Sequence, residues 1–210
     1  KKEFFQNASQ ELKTPLTTII GYEGLLNNNL ITDEKEINQA NEIILKEAQR
    51  MKNVIDDMLI LSKLESDKEI NVEEVDAKNA LEYVIDSMKF LLEEKNISLK
   101  VKSEECILKI DPTDLDKLIR NLVSNAIKYN KEGGKIEISL TKNSLKISDS
   151  GIGINKDDIP RIFERFYRVD KGRSRELGGT GLGLAIVKHI SIKYGYKIDV
   201  KSKLRSGTTF

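Results

Sequence analysis

One cysteine, Cys106, in 210 residues leaves no partner for an internal disulfide and too few thiolates for a cysteine-built zinc site. A reducing, cytoplasmic setting fits that scarcity. No run of 18 or more apolar residues occurs, so no segment reads as a membrane span and direct membrane insertion is not expected. An excess of one charge is also missing. The 35 Lys+Arg and 34 Asp+Glu leave a net charge of +1, which gives no global pull toward nucleic acid or an acidic membrane. There is a single histidine, His189. The chain begins at Lys1 without Met or a signal-peptide pattern and stops at Phe210 after a strand-like run, so it reads as a piece of something longer. No internal repeat or low-complexity tract is found. What is there is 39% hydrophobic and 33% charged residues, the balance of a folded chain rich in helix formers.

Residues 1–66 carry almost no strand signal. Phe5, Ala8, Leu12, Leu16, Ile19 and Ile20 recur at three- or four-residue steps, as one helix face requires. Pro15 removes a backbone donor and should bend this helix near its middle. Asn27, Asn28 and Asn29, with Asp33 shortly after, form a polar breaker. A second helix is expected from about Glu34 to Glu65. In it Ile37, Ile44, Met51 and Met58 fall every seven residues, and Ala40, Ala48 and Ile55 extend the same packing seam. Two helices cannot enclose a core between them. Pairing two hairpins into a four-helix bundle buries both stripes, so a homodimer through residues 1–66 is predicted; a helical linker is the plainer alternative.

A short charged stretch, residues 67–76, reads as a linker. From 77 to 210 the pattern changes: helices are expected near 77–95, 112–130 and 181–194, and strands near 97–103, 106–110, 134–141, 143–149 and 196–201. Gly133-Gly134 and Lys142-Asn143 look like turns between strands. Helices mixed with mostly hairpin-linked strands predict an α+β sandwich, one sheet backed by helices.

Four segments of this second part carry chemistry. In RNLVSNAIKY, residues 120–129, Asn121, Asn125 and Lys128 share one helix face, while Leu118, Ile119 and Leu122 supply apolar packing. Amide oxygens are hard ligands that suit Mg²⁺, and an ammonium suits phosphate; an ordinary polar face is the competing reading. In DSGIGI, residues 149–154, an Asp at a strand end precedes two glycines. Asp149 can accept from an exocyclic amine such as that of adenine, and the glycines allow close backbone approach, although a simple turn has the same composition. In GGTGLGLAIVKHI, residues 178–190, glycines precede a helix and expose N–H groups that can cradle phosphate. No Lys followed by Ser or Thr stands at P-loop spacing, and no βαβ unit surrounds the segment, so P-loop and dinucleotide folds are disfavoured. RIFERFYR, residues 161–168, places Arg161, Arg165 and Arg168 between the second and third segments, where arginine can stabilise charge on a transferring phosphoryl group.

In this order and spacing the four segments resemble the N, G1, F and G2 boxes of the sensor histidine kinases, and the resemblance covers nearly the whole chain. It implies an α/β sandwich of the gyrase/histidine-kinase ATPase type behind a dimeric helical hairpin, with ATP and Mg²⁺ bound. By the same resemblance Asn125 coordinates Mg²⁺ with Asn121 assisting, Lys128 and Arg168 meet phosphates, Tyr129 lies against the nucleotide and Asp149 accepts from the adenine amine. Gly151, Gly153, Gly179, Thr180, Gly181, Leu182 and Gly183 would line the pocket and its mobile lid over 172–183. Residues 4–22 are similar to the family's phosphoacceptor helix, with a response regulator expected to dock near residues 9–20. The parent protein is expected at the cytoplasmic face of the cell membrane.

One position departs from the family pattern. Where the family has His-Glu-x-x-Thr-Pro, this chain reads Gln10-Glu11-Leu12-Lys13-Thr14-Pro15. Imidazole has a lone pair for attack on phosphorus, whereas a carboxamide nitrogen is delocalised into its carbonyl and is a very poor nucleophile. Autophosphorylation at Gln10 is therefore expected to be abolished. Glu11 keeps the place of the base and Thr14 the place associated with orienting water for regulator dephosphorylation. His189 reads as an ordinary residue of the helix behind the glycines, not as a substitute acceptor. Retention of every other box favours an introduced replacement in an active kinase. A natural pseudokinase scaffold, or another ATPase of the superfamily, are the alternatives.

Overall fold

The computed structural model describes residues 2–66, 71–170, 172 and 178–210. Helix α1 (Lys2–Asn27) runs on through Pro15, which is buried, so the missing donor interrupts one ladder bond without ending the helix. The expected asparagine breaker is the reversal: Asn28 N–H closes on Gly24 O, and Asn29 sits in the left-handed region at φ 54. Helix α2 (Glu34–Glu65) then starts on Asp33, whose carboxylate accepts from the N–H groups of Lys35 (2.9 Å) and Glu36 (3.2 Å), a cap worth about 1 kcal/mol.

The two helices pack against each other, with Ala40, Val54 and Leu61 of α2 buried. Ala48 and Ile55, predicted in the packing seam, point outward instead and join Leu45 (71% exposed) and Leu59 (56%). A hairpin has one internal face, so the second apolar stripe is left outside. Phe5, Leu16 and Ile20 of α1 are exposed as well. Such an apolar surface is what a second hairpin covers in a four-helix bundle.

Strand β1 (Glu73–Asp76) lies inside the stretch read as a linker and pairs antiparallel with β3 (Ile107–Ile110). The helix expected over 77–95 is two helices, α3 (Ala77–Ser87) and α4 (Lys89–Glu94). They are separated at Met88, whose N–H turns back to Ile85 O in a tighter closure that swings Leu92 into the core. Strand β2 (Ser98–Ser103), helix α5 (Pro112–Lys128), strands β4 (Lys135–Leu140) and β5 (Leu145–Asp149), helix α6 (Gly183–Lys193), and strands β6 (Lys201–Lys203) and β7 (Gly207–Thr209) complete the fold. The sheet order is β2-β4-β5-β7-β6. The β2–β4 pair is parallel, which the hairpin expectation missed, and the other pairs are antiparallel. Gly133-Gly134 joins α5 to β4, not strand to strand, whereas Lys142-Asn143 does turn the β4–β5 hairpin.

Along β4 burial alternates, with Ile136, Ile138 and Leu140 inward, as a sheet with one covered face requires. Those residues and Ile147 meet Leu81 and Val84 of α3, Ile119 and Val123 of α5, and Ile186 and Ile190 of α6 in one cluster of buried apolar residues. Each fully buried Leu or Ile stabilises by about 1.5–3 kcal/mol. The strand predicted over 196–201 forms only from Lys201. Helix α6 ends with Gly195 at φ 70 and with Tyr196 N–H bonded to Ser191 O (2.7 Å), so the helix cap takes the donor a ladder would need.

Candidate functional site

Helix α5 is fixed at its start by Asp111, which accepts from Thr113 N–H, and by Pro112 in the first turn. Leu115, Leu118, Ile119 and Leu122 bury one face. The opposite face then presents Asn121, Asn125 and Lys128, as their spacing predicts. Asn121 donates its Nδ2 to Lys117 O (2.8 Å), which turns Oδ1 toward the start of α6. A Cβ added at Gly183 would lie 2.5 Å from that oxygen, so any other residue there would have to displace the Asn121 amide.

Asp149 ends β5 beside β7. Its Oδ1 accepts from Gly151 N–H (2.8 Å) and Thr208 N–H (3.2 Å), which fixes the carboxylate with its other oxygen available to a ligand. Burial pushes its pKa upward, against those two N–H groups, which favour the charge. At Gly151 any Cβ would run into the backbone carbonyl of Tyr129 and lie 2.8 Å from Asp149 Oδ1, so the turn tolerates only glycine.

Asn125, Tyr129, Asp149, Gly153 and Arg168 line one cavity of about 170 Å³, together with Ile152, Ile162, Leu184 and Phe210. Apolar walls with a few convergent polar groups are the usual make-up of a small-molecule site; the volume suits a heterocyclic base and leaves its substituents outside. Tyr167 and Thr208 also line it. Sequence reading missed both, although Thr208 follows from the β5–β7 register, which pairs Ser148 with Thr209.

Arg168 is 8% exposed. Its Nη2 donates to Thr180 O (2.8 Å) and to Glu11 Oε2 (2.9 Å) of the hairpin, while Nε and Nη1 are buried without a partner. An unmade buried hydrogen bond costs about 1–3 kcal/mol, so two idle donors on a buried cation at a cavity wall match an anionic ligand. Lys128 is half-buried; desolvation lowers its pKa and the charge of Asp57 on α2 opposes that shift. Thr180 is buried, donates its hydroxyl to Asp57 (2.7 Å) and accepts from Leu182 N–H. Leu182 is fully buried in the core, so only its backbone can face a ligand. Gly179 is half-buried, and Gly181 O accepts from Phe166 N–H. Of the lid expected over 172–183, residues 173–177 lie outside the described residues.

On α1, Gln10 is exposed and Thr14 donates its hydroxyl to Gln10 O (3.2 Å). Glu11 bridges two buried arginines through Oε2: Arg50 of α2 (3.0 Å) and Arg168 (2.9 Å). Arg50 and Asp57 carried no recognisable sequence signal, because charged residues on a long helix ordinarily face water. His189 lies 3.0 Å from Arg165 Nη2, and burial and that arginine lower its pKa. Arg165 also pairs with Glu65 at the end of α2.

Residues 110–210 match the family described as histidine kinase-, DNA gyrase B-, and HSP90-like ATPase, and residues 1–67 match the His kinase A (phospho-acceptor) domain. The sensor histidine kinase YkoH of Bacillus subtilis (strain 168) is 37% identical over 212 residues, covering 99% of this chain and 46% of that protein. The sensor protein SrrB of Staphylococcus aureus (strain NCTC 8325 / PS 47) is 34% identical over 219 residues, covering 100% of this chain and 37% of that protein. The chain thus spans less than half the length of these relatives. The histidine kinase ThkA, solved in complex with the response regulator protein TrrA, superimposes with a TM-score of 0.77 at 23% identity over 99% of this chain and 59% of that one, a likeness of fold. A phospho-acceptor hairpin followed by an ATP-binding α/β domain, matched along its whole length by a sensor histidine kinase and a sensor protein, makes this chain a member of the sensor histidine kinase family.

Proposed function

We propose that this chain is the cytoplasmic portion of a sensor kinase, with residues 1–66 as the dimerising phosphotransfer hairpin, 67–76 as a linker that ends in β1, paired with β3, and 77–210 as the catalytic domain. It binds Mg·ATP so that the γ-phosphate is presented to position 10. One observation carries this reading: an amide (Asn125), a half-buried carboxylate (Asp149) and a buried guanidinium with two idle donors (Arg168) surround one apolar-walled cavity. Asp149 would take the adenine amine and Tyr129 would flank the base. Lys128, Arg168 and the N–H groups around Gly179, Thr180, Gly181 and Gly183 would hold the phosphates. The amide oxygens of Asn125 and Asn121 fit Mg²⁺, which when bound neutralises phosphate charge as the γ-phosphoryl group leaves.

With histidine at position 10, Glu11 would take the imidazole proton as the other ring nitrogen attacks phosphorus. A response regulator aspartate would then receive the phosphoryl group at the exposed surface near residues 9–20, and Thr14 would help position water for the reverse hydrolysis. Gln10 removes the nucleophile, so this chain retains nucleotide binding and loses phosphoryl acceptance. The full-length parent would be anchored in the membrane by a segment outside the described residues, none of whose helices is long and apolar enough to cross a bilayer. Gln10 is the observation that favours a natural pseudokinase scaffold instead. The test is incubation with ATP labelled at the γ-phosphate. Gln10→His is expected to take up label and the chain as given none; label on the unaltered chain refutes the assignment of position 10.

A further inference from the structure

The donors assigned above to phosphate already hold acidic side chains of the hairpin. Glu11 Oε2 sits 2.9 Å from Arg168 Nη2. Asp57 accepts from the Thr180 hydroxyl at 2.7 Å, in the glycine-rich segment, and its charge is felt by Lys128. Arg50, buried on α2, grips the same Glu11 oxygen from the other side at 3.0 Å and fixes that carboxylate in place. Two carboxylates from two helices thus occupy donors that the nucleotide reading gives to the phosphates. Like charges brought together in a partly desolvated site repel, and a triphosphate beside both carboxylates would meet that repulsion in full.

Resting on the nucleotide reading above, we propose that Asp57 and Glu11 form an intramolecular anion plug: in this docked arrangement the hairpin occupies the phosphate subsite, so this arrangement and Mg·ATP binding exclude one another, and presentation of the γ-phosphate to position 10 takes a different placement of the hairpin. The plug is an incomplete substitute. It satisfies Nη2 of Arg168 and leaves Nε and Nη1 idle, whereas a phosphate chain has oxygens for all three. Nucleotide therefore displaces the carboxylates and frees the hairpin, together with position 10, for movement. Because the coupling is reciprocal, anything that tightens hairpin docking weakens nucleotide binding by the same factor. Neither Asp57 nor Glu11 lines the base cavity, which is walled by Ile152, Leu184 and Phe210.

The experiment is calorimetric titration of the whole chain with Mg·AMP-PNP and, separately, with adenosine, which has the base and no phosphate. Asp57→Asn keeps size and a hydrogen-bond partner for Thr180, and Glu11→Gln does the same for the arginines. Each is expected to tighten Mg·AMP-PNP binding by about fivefold or more, the lower end of ordinary site-to-site coupling, and to leave adenosine binding unchanged. Unchanged or weaker Mg·AMP-PNP binding in both variants overturns the plug while leaving the nucleotide site standing. Failure of the parent chain and both variants to bind either ligand overturns the nucleotide reading and the plug with it. Amide exchange supplies a check independent of substitution: saturating Mg·AMP-PNP is expected to speed exchange in α2 around Asp57, and slower exchange there contradicts the proposal.

Discussion

Replacing Asp149 by asparagine separates recognition from folding at one atom. The Oδ1 acceptor that holds Gly151 and Thr208 N–H is kept by the amide, so the turn after β5 should stay closed. The other oxygen becomes an NH₂ group, which faces the adenine amine donor to donor. Hydrogen bonds to a charged group contribute about 1.5–3 kcal/mol, so Asp149→Asn should weaken Mg·AMP-PNP binding by about 10- to 150-fold. Stability should move the other way. Burial raises the pKa of Asp149, so the fold favours its neutral form. That preference contributes stability below the ordinary carboxylate range, and the contribution is lost as pH rises through the raised value. At neutral pH the buried charge is a standing cost, and the asparagine removes it; thermal unfolding should shift upward or stay level. Asp149→Ala, by contrast, strands both N–H groups and should lower the melting temperature. In the parent chain, binding should weaken as pH falls through the raised pKa, because the acceptor is then protonated. Calorimetry at several pH values and thermal melts of the three proteins provide the assay. Undiminished binding by Asp149→Asn, or equal destabilisation by Asn and Ala, would refute the assignment.

Gly151→Ala should cost about 1–3 kcal/mol of stability and reduce nucleotide binding, since its Cβ meets the Tyr129 carbonyl; chemical denaturation and titration check both effects. Leu45→Glu places a charge on the outward stripe of α2 and should shift sedimentation toward monomer with little change in helix content. Ile119→Ala, at the centre of α5's buried face, should destabilise the ATP-binding domain by about 2–5 kcal/mol, read from denaturant midpoints.

The parts of the fold legible in sequence were those set by local periodicity. The hairpin helices, the polar face of α5 and the Asp149-Ser150-Gly151 turn after β5 each depend on residues within a few positions of one another. Relations between distant segments had no such signature. The parallel β2–β4 pair brings Leu99 beside Ile136, and the Glu11–Arg168 pair joins residues 157 apart. Arg50 reads as one more solvated charge on α2 until α1 covers it, and the outward turn of Ala48 and Ile55 follows only from which stripe α1 selects. The break at Met88 and the late start of β6 were hidden for another reason: a backbone N–H was claimed by a helix end, which hydropathy does not report.

The amides of α5, the carboxylate of Asp149 and the guanidinium of Arg168 are together assigned to one Mg-bound nucleotide. Calorimetric titration of the chain with an ATP analogue, with and without Mg²⁺, and in parallel on Asn125→Ala, tests this assignment most directly. Mg²⁺-dependent association is expected, lost or severely weakened in Asn125→Ala. Absence of association in the parent chain, or association indifferent to both Mg²⁺ and Asn125, would contradict it.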